Sequence, residues 1–293
     1  MQTRIRFAVA VILFFSFTIP AAGEQSPPAA TPPPAFTILL TNDDGYDAPG
    51  LKALIEALRT AGDLYVSAPA ENQSGKGHSI LTTRDPIFVN EKKQPSGVTW
   101  YAVEAPPATC VRLAVEALLP RRPDIVISGI NRGDNLGLAS VYLSGTVGAA
   151  QEAALIGIPA IAVSMEGNKD EDYARTAAYM RQLVEQLREQ KLLKTGLFLN
   201  VNAPSGEHKG VVLARLSRKP GKDKFERRES PSRRIYYWSA YRPFDKSDVD
   251  DEGTDLWAYQ RGYIAVTPMI LDVTDTKTFE SWRVLEKKAA AAK

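Results

Sequence analysis

The residues best equipped for chemistry are Asn42-Asp43-Asp44-Gly45, Ser74 in a glycine-bearing loop, Asn131 in Gly129-Ile130-Asn131-Arg132-Gly133, and Ser144-Gly145-Thr146. Two adjacent carboxylates, a hydroxyl and an amide oxygen are hard ligands, suited to Mg²⁺, Mn²⁺ or Ca²⁺. With two histidines, His78 and His208, and the single Cys110, the composition argues against a tetrahedral zinc site. Ser144-Gly145-Thr146 opens a run of small residues. A helix starting there would turn free N–H groups and a positive dipole end toward a phosphate. Capping of that helix is the plainer use of the Ser144 hydroxyl. A metal facing a phosphate cradle implies phosphoryl chemistry.

These residues need elements to bring them together. Thr37-Ile38-Leu39-Leu40 is a short apolar run ending at the two carboxylates, and it reads as a buried strand. After Pro49-Gly50, residues Leu51, Leu54, Ile55 and Leu58 form one helical face. Further strands are predicted at Leu64–Ala68, Val98–Val103, Asp124–Ser128, Ala160–Ser164 and Leu197–Val201. The Asp124–Ser128 strand is apolar on both faces, as strands of parallel sheets are. Helices are predicted over Ala108–Leu118, with Cys110 as a small core residue, over Gly145–Gly157 and near Tyr173–Gln190. Alternation of this kind predicts a doubly wound, mostly parallel α/β sheet. Ligands of such sheets bind outside the carboxyl ends of the strands. Asp43 and Asp44, Ser74 and Asn131 each follow a predicted strand, so one sheet edge can gather all of them.

Beyond Gly210 the pattern changes. Val211–Leu216, Ile235–Ser239 and Tyr263–Val266 read as strands with no long helix between them, a β-rich extension or arm, and a short helix is expected around Phe279, Trp282 and Leu285. At the other end, Arg4 and Arg6 precede an apolar run from Phe7 to Ile19 and then Pro20-Ala21-Ala22-Gly23. This is the pattern of an export signal, too short for a membrane anchor. Residues 24–35 hold Pro27, Pro28, Pro32, Pro33 and Pro34 and read as a semi-rigid linker. The expected organisation is a signal peptide over 1–23, a linker over 24–35, an α/β core over 36–210 and a β-rich arm with a C-terminal helix over 211–293.

A hydrophobic content of 44% excludes a disordered chain. Losing the signal removes two arginines and no acid, which balances basic against acidic residues. That argues against a nucleic-acid polymer as partner. One cysteine allows no intrachain disulfide. The common phosphate motifs fail too. No G-x-G-x-x-G follows the first strand, and Ser74-Gly75-Lys76-Gly77 lacks the upstream glycine of a P-loop, where Ala70 stands. A phospho-acceptor receiver would need a third aspartate where Ser128-Gly129-Ile130-Asn131 occurs.

Taken as a set, Asn42-Asp43-Asp44-Gly45 with Ala48-Pro49-Gly50, the Ala68-Pro69 to Ser74-Gly75 loop, Ser128 to Gly133 with Asn135-Leu136-Gly137, Ser144-Gly145-Thr146-Val147, and Gly253-Thr254-Asp255 with Gly262-Tyr263 and Thr267-Pro268 resemble the SurE (survival protein E) family of nucleotidases. The resemblance runs from about Thr37 to Leu271. It implies a Rossmann-like core and one divalent ion per subunit, Mg²⁺ or Mn²⁺, held by Asp43, Asp44, Ser74 and Asn131. It further implies release of phosphate from nucleoside 5'- or 3'-monophosphates, with Asp43 and Asp44 catalytic and Asn135, Ser144, Gly145 and Thr146 on the phosphate. Homodimers or homotetramers built through C-terminal arms are implied as well. Two features depart from the family pattern: Tyr142-Leu143-Ser144 has one residue between tyrosine and serine, and the export signal predicts a periplasmic setting. A broader exported phosphatase acting on polyphosphate or sugar phosphates, or a metal- and phosphate-binding protein without turnover, would use the same residues.

Overall fold

The computed structural model describes residues 35–82, 84–93, 97–167, 169–219, 224–239 and 250–286. The predicted signal, nearly all of the linker and the C-terminal alanine tail lie outside the described residues. Eleven strands occur among the described residues: β1 (Thr37–Thr41), β2 (Asp63–Pro69), β3 (Val89–Lys93), β4 (Thr99–Val103), β5 (Ile125–Arg132), β6 (Ala160–Met165), β7 (Phe198–Ala203), β8 (Val211–Leu213), β9 (Phe225–Glu229), β10 (Ile235–Ser239) and β11 (Ile264–Pro268). The α-helices are α1 (Pro49–Leu58), α2 (Pro107–Leu113), α3 (Gly137–Leu143), α4 (Gly145–Leu155), α5 (Asp170–Glu189) and α6 (Asp255–Gln260).

Nine strands form one sheet in the order β3-β4-β2-β1-β5-β6-β7-β11-β8. From β4 to β7 every pairing is parallel, whereas β3 on β4 and β11 on β7 are antiparallel. The chain leaves β1 toward β2 and β4, then returns to β5 on the other side of β1. The β1/β5 boundary is therefore the topological switch point, where an open α/β sheet forms its ligand crevice.

Side chains alternate across a strand, so β1 feeds two cores. Ile38 and Leu40 pack with Leu51, Leu54, Leu58, Met180 and Val184 of α1 and α5. Leu39 faces the other way, among Val111, Val147, Ala150 and Ala153 of α2 and α4. All five residues of β1 are buried, which is why its sequence is an unbroken apolar run rather than an alternating one.

Several boundaries differ from the sequence expectation. The helix expected to run to Leu118 stops at Leu113 and continues as a wide π-type turn over Ala114–Leu118. β3, whose Val-Asn-Glu-Lys-Lys composition is polar, is an edge strand that apolar patterning misses. β8 keeps only three residues of the expected Val211–Leu216 strand, and it joins the main sheet through β11. β9 and β10 form a separate two-stranded hairpin. The expected C-terminal helix is a 3₁₀ turn, Phe279–Leu285.

Candidate active site

β1 ends in a turn locked by its own asparagine. Asn42 Nδ2 donates to the Gly45 carbonyl at 2.8 Å, and the Gly45 N–H donates to Asn42 Oδ1 at 3.2 Å. The two carboxylates between them are thereby held at the switch point. Asp43 is 3% exposed. Burial pushes its carboxyl up to about 6, with Asp44 adding to the rise and hydrogen bonds from Thr146 opposing it. Asp44 is also raised by burial, opposed by the Arg132 N–H, which donates to its Oδ2 at 3.1 Å.

The partners come from three strand ends and one helix. The loop after β2 is tied to the site by the Gln73 N–H, which donates to the Asp43 carbonyl at 2.7 Å, and Ser74 is the next residue, exposed on that loop. Asn131 is not in a turn beyond its strand, as expected, but inside β5. The β5–β6 register shifts between Ser128 and Asn131, and this irregularity re-aims the strand end. Asn131 Nδ2 donates to the Gly133 carbonyl at 2.8 Å, so Oδ1 is the amide atom that could serve as a ligand.

α4 begins where the sequence places it. Ser144 is its N-cap, the Oγ accepting the Val147 N–H at 3.1 Å, so the plainer use of this hydroxyl is realised. Its proton remains free to donate. The Thr146 hydroxyl donates to Asp43 Oδ1 at 2.5 Å, and the Thr146 N–H also bonds this carboxylate. The resemblance puts Thr146 on the phosphate; the structure spends its donors on Asp43. A Cβ on Gly145 would stand 2.8 Å from Asp43 Cβ and 2.9 Å from Oδ2, so only glycine lets the helix start approach the carboxylate this closely.

Asn135 is buried at the same edge, in a network that apolar patterning hides. Its N–H donates to Asn202 Oδ1 and its Nδ2 to Ser164 Oγ, both at 2.8 Å, while its carbonyl accepts from Asn200 and Asn202. Three polar residues in otherwise apolar strands, Ser164, Asn200 and Asn202, are the signal that could have found it. Asp255 closes the site from the C-terminal side, accepting N–H bonds from Gly137 and Ser217 at 2.8 Å each.

The donor set fits a hard divalent cation. No cationic side chain of the described residues is among the groups that bear on Asp43, and a buried carboxylate without one is costly until a cation joins it. Among the described residues no three of His, Cys, Asp and Glu gather to hold a metal, and Asn131 and Ser74 are the neutral oxygen donors that the sequence sets beside the two carboxylates. Oxygen-only ligation of that kind suits Mg²⁺ or Mn²⁺.

A paired carboxylate facing a helix N-terminus across the switch point of a doubly wound sheet defines an α/β protein built for phosphoryl groups. The comparisons narrow the class. The profile of the family described as Survival protein SurE matches residues 38–223. The chain is 42% identical over 253 residues to a protein of Pelotomaculum thermopropionicum named 5'-nucleotidase SurE, covering 86% of this chain and 96% of that one. It is 45% identical over 242 residues to a protein of the same name from Desulfitobacterium hafniense, covering 81% and 92%. Among solved structures, the SurE protein from Aquifex aeolicus aligns with TM-score 0.71 and 36% identity, over 86% of this chain and all of that one. The chain belongs to the SurE family.

Proposed function

We propose that this protein is a divalent-metal-dependent phosphatase that releases inorganic phosphate from nucleoside 5'-monophosphates, and from 3'-monophosphates as a second position. The names of its relatives support the nucleotide substrate. The observation that carries the chemistry is Asp43, a buried carboxylate beside a second carboxylate at the start of α4, with no cationic side chain on it among the described residues.

Asp43, Asp44, Ser74 and Asn131 would hold the metal, Mg²⁺ or Mn²⁺. When bound, it supplies positive charge to offset the charge that develops on the transferring phosphoryl group. Thr146 fixes Asp43 through Oδ1, so the carboxylate keeps one orientation. Asp43 then orients the attacking water and takes its proton as the oxygen bonds to phosphorus and the ester P–O bond breaks. The departing nucleoside oxygen takes up a proton from solvent water, while Asp43 returns its own to solvent. The Ser144 hydroxyl, the Gly145 N–H and Asn135 hold the phosphate, and their donors strengthen as charge grows on its oxygens. Thr146 acts on the phosphate through Asp43. Direct attack by water is the preferred course, and a phosphoaspartate trapped by acid quench would replace it.

Export to the periplasm rests on residues 1–23 alone. Assembly as a homodimer or homotetramer through the C-terminal segments is supported by exposed Phe225, Tyr237 and Trp238 on the hairpin and by Phe279 and Trp282 beyond it. No helix of the described residues is long and apolar enough to cross a membrane.

One assay tests the reading: phosphate release from nucleoside 5'- and 3'-monophosphates, polyphosphate and a chromogenic ester, each with Mg²⁺, Mn²⁺ or chelator. Metal-dependent release from the monophosphates is expected. Tight phosphate binding with no release from any substrate would make the protein a binding protein instead.

A further inference from the structure

Ser74, the hydroxyl assigned to the metal, sits on an exposed loop, yet a ligand must be held in place. The loop is anchored on both sides of Ser74. Upstream, the Gln73 N–H is on the Asp43 carbonyl. Downstream, the Gly77 N–H donates to the Leu143 carbonyl at 3.0 Å and the Leu81 N–H to Thr109 Oγ1 at 2.9 Å. Between those two lies His78, and its partner is unusual.

Glu152 is a fully buried carboxylate on α4. Its Oε1 accepts from Arg112 Nε at 2.5 Å and from an Arg112 terminal nitrogen, and its Oε2 lies 2.6 Å from His78 Nε2. A carboxylate held by a guanidinium only accepts, so His78 is the donor. Gly145, Gly148 and Glu152 are spaced i, i+3, i+7 and share one face of the helix. Along that face Gly145 meets Asp43. A Cβ on Gly148 would come within 2.5 Å of the Gly77 carbonyl oxygen and 2.9 Å of His78 Cα. One rigid helix thus touches the Asp43 carboxylate at its first turn and the Ser74 loop at its second and third.

We infer that Glu152, clamped by Arg112 and reaching His78, is a positioning residue that holds the 74–79 loop on α4 so that the Ser74 hydroxyl faces the Asp43–Asp44 carboxylates. The inference rests on the metal reading for Ser74, and it adds the device that makes an exposed serine a usable ligand. Glu152 touches no reacting atom. It acts through His78, and its ion pair with Arg112 fixes the direction from which it reaches the imidazole.

The test reads Mn²⁺ affinity by calorimetry and amide hydrogen exchange over residues 73–81 of the full-length protein. Glu152→Gln keeps the volume but disturbs a buried pair, and it risks misfolding. His78→Ala removes only the loop end of the clamp, and His78→Gln restores a donor. With His78→Ala, Mn²⁺ affinity is expected to fall about 10- to 100-fold, the scale of losing an outer partner of a metal ligand. Exchange over 73–81 should accelerate while exchange in β1 and β5 stays as in the wild type, and His78→Gln should recover part of the affinity. Unchanged loop exchange in His78→Ala overturns the clamp. Faster exchange with unchanged Mn²⁺ affinity overturns its role in placing Ser74. Asp43→Asn keeps the two readings apart: if it binds Mn²⁺ like the wild type, the metal reading fails, while loop exchange still decides the clamp.

Discussion

The carboxyl edge of the sheet and the β9–β10 hairpin spend their residues in opposite ways. At the edge, Asp43, Asn131, Asn135, Ser144 and Thr146 are polar and buried, and Asn42, Thr146, Ser164, Asn200 and Asn202 all have hydrogen-bond duties there. On the hairpin, Phe225, Ile235, Tyr236, Tyr237 and Trp238 are apolar and exposed. Burying polar groups costs free energy, which the site recovers through its hydrogen bonds and through a cation. Exposed aromatics on a two-stranded ribbon recover nothing until a surface covers them. The edge pairs its polar groups within one chain, whereas the exposed apolar side chains of the hairpin are the surface on which the proposed assembly rests.

The largest effect should come from the edge. Asp43→Asn is expected to lower kcat/KM by about 10³-fold or more, on the scale of losing a principal electrostatic group, with Mn²⁺ binding lost in calorimetry. The same substitution should stabilise the metal-free protein by about 1–3 kcal/mol, because the raised carboxyl is a cost that Asn does not carry. A lower melting temperature for that variant would show that the carboxylate is structural.

Gly145→Ala tests the close approach of α4 to Asp43. The added methyl group meets a side chain held on two sides, so activity should drop about 10²-fold, as for a misplacement near 1 Å, with the far-ultraviolet spectrum unchanged. Wild-type turnover would mean that the helix start can shift freely.

The pH dependence has a definite sign. Burial raises Asp43 from its ordinary value to about 6, so above pH 6 the folded metal-free protein carries the full cost of the ionised group. That cost disappears as pH falls through 6 toward 4, and the metal-free protein gains stability from this group on acidification. Proton and metal compete for the same oxygens, so Mn²⁺ affinity should fall about tenfold per pH unit below 6. Calorimetry between pH 5 and 8 measures it; a flat profile would remove Asp43 from the ligand set.

Smaller effects are expected from the hairpin and the cap. Trp238→Ser should shift the protein toward smaller species in light scattering while kcat changes only a few-fold. A large loss of kcat with no change of mass would erase the contrast between the two regions. Ser144→Ala should cost about 1 kcal/mol of stability through the lost cap and raise KM more than it lowers kcat. A change in stability with KM untouched would leave Ser144 as a cap alone.

Much of the fold and of the site is legible in the order of the residues. β1, α1, β5, α4 and β6 follow from apolar runs, glycine stops and small-residue spacing, because each element is chosen mainly by what it buries. What escapes follows no burial pattern. β3 is polar and sits at an edge, and Asn131, singled out as following its strand, lies inside one whose register shifts. Ser164, Asn200 and Asn202 look like breaks in apolar strands until Asn135 is seen to need them.

By itself the sequence determined the order of elements and the inventory of candidate hard ligands at Asp43, Asp44, Ser74 and Asn131. Those are set by local periodicity and residue chemistry. Only the tertiary structure decided that Thr146 serves Asp43 and that Glu152 of one helix reaches His78 of a loop 74 residues earlier. Such pairings depend on which side chains meet when the layers close, and no spacing along the chain encodes that.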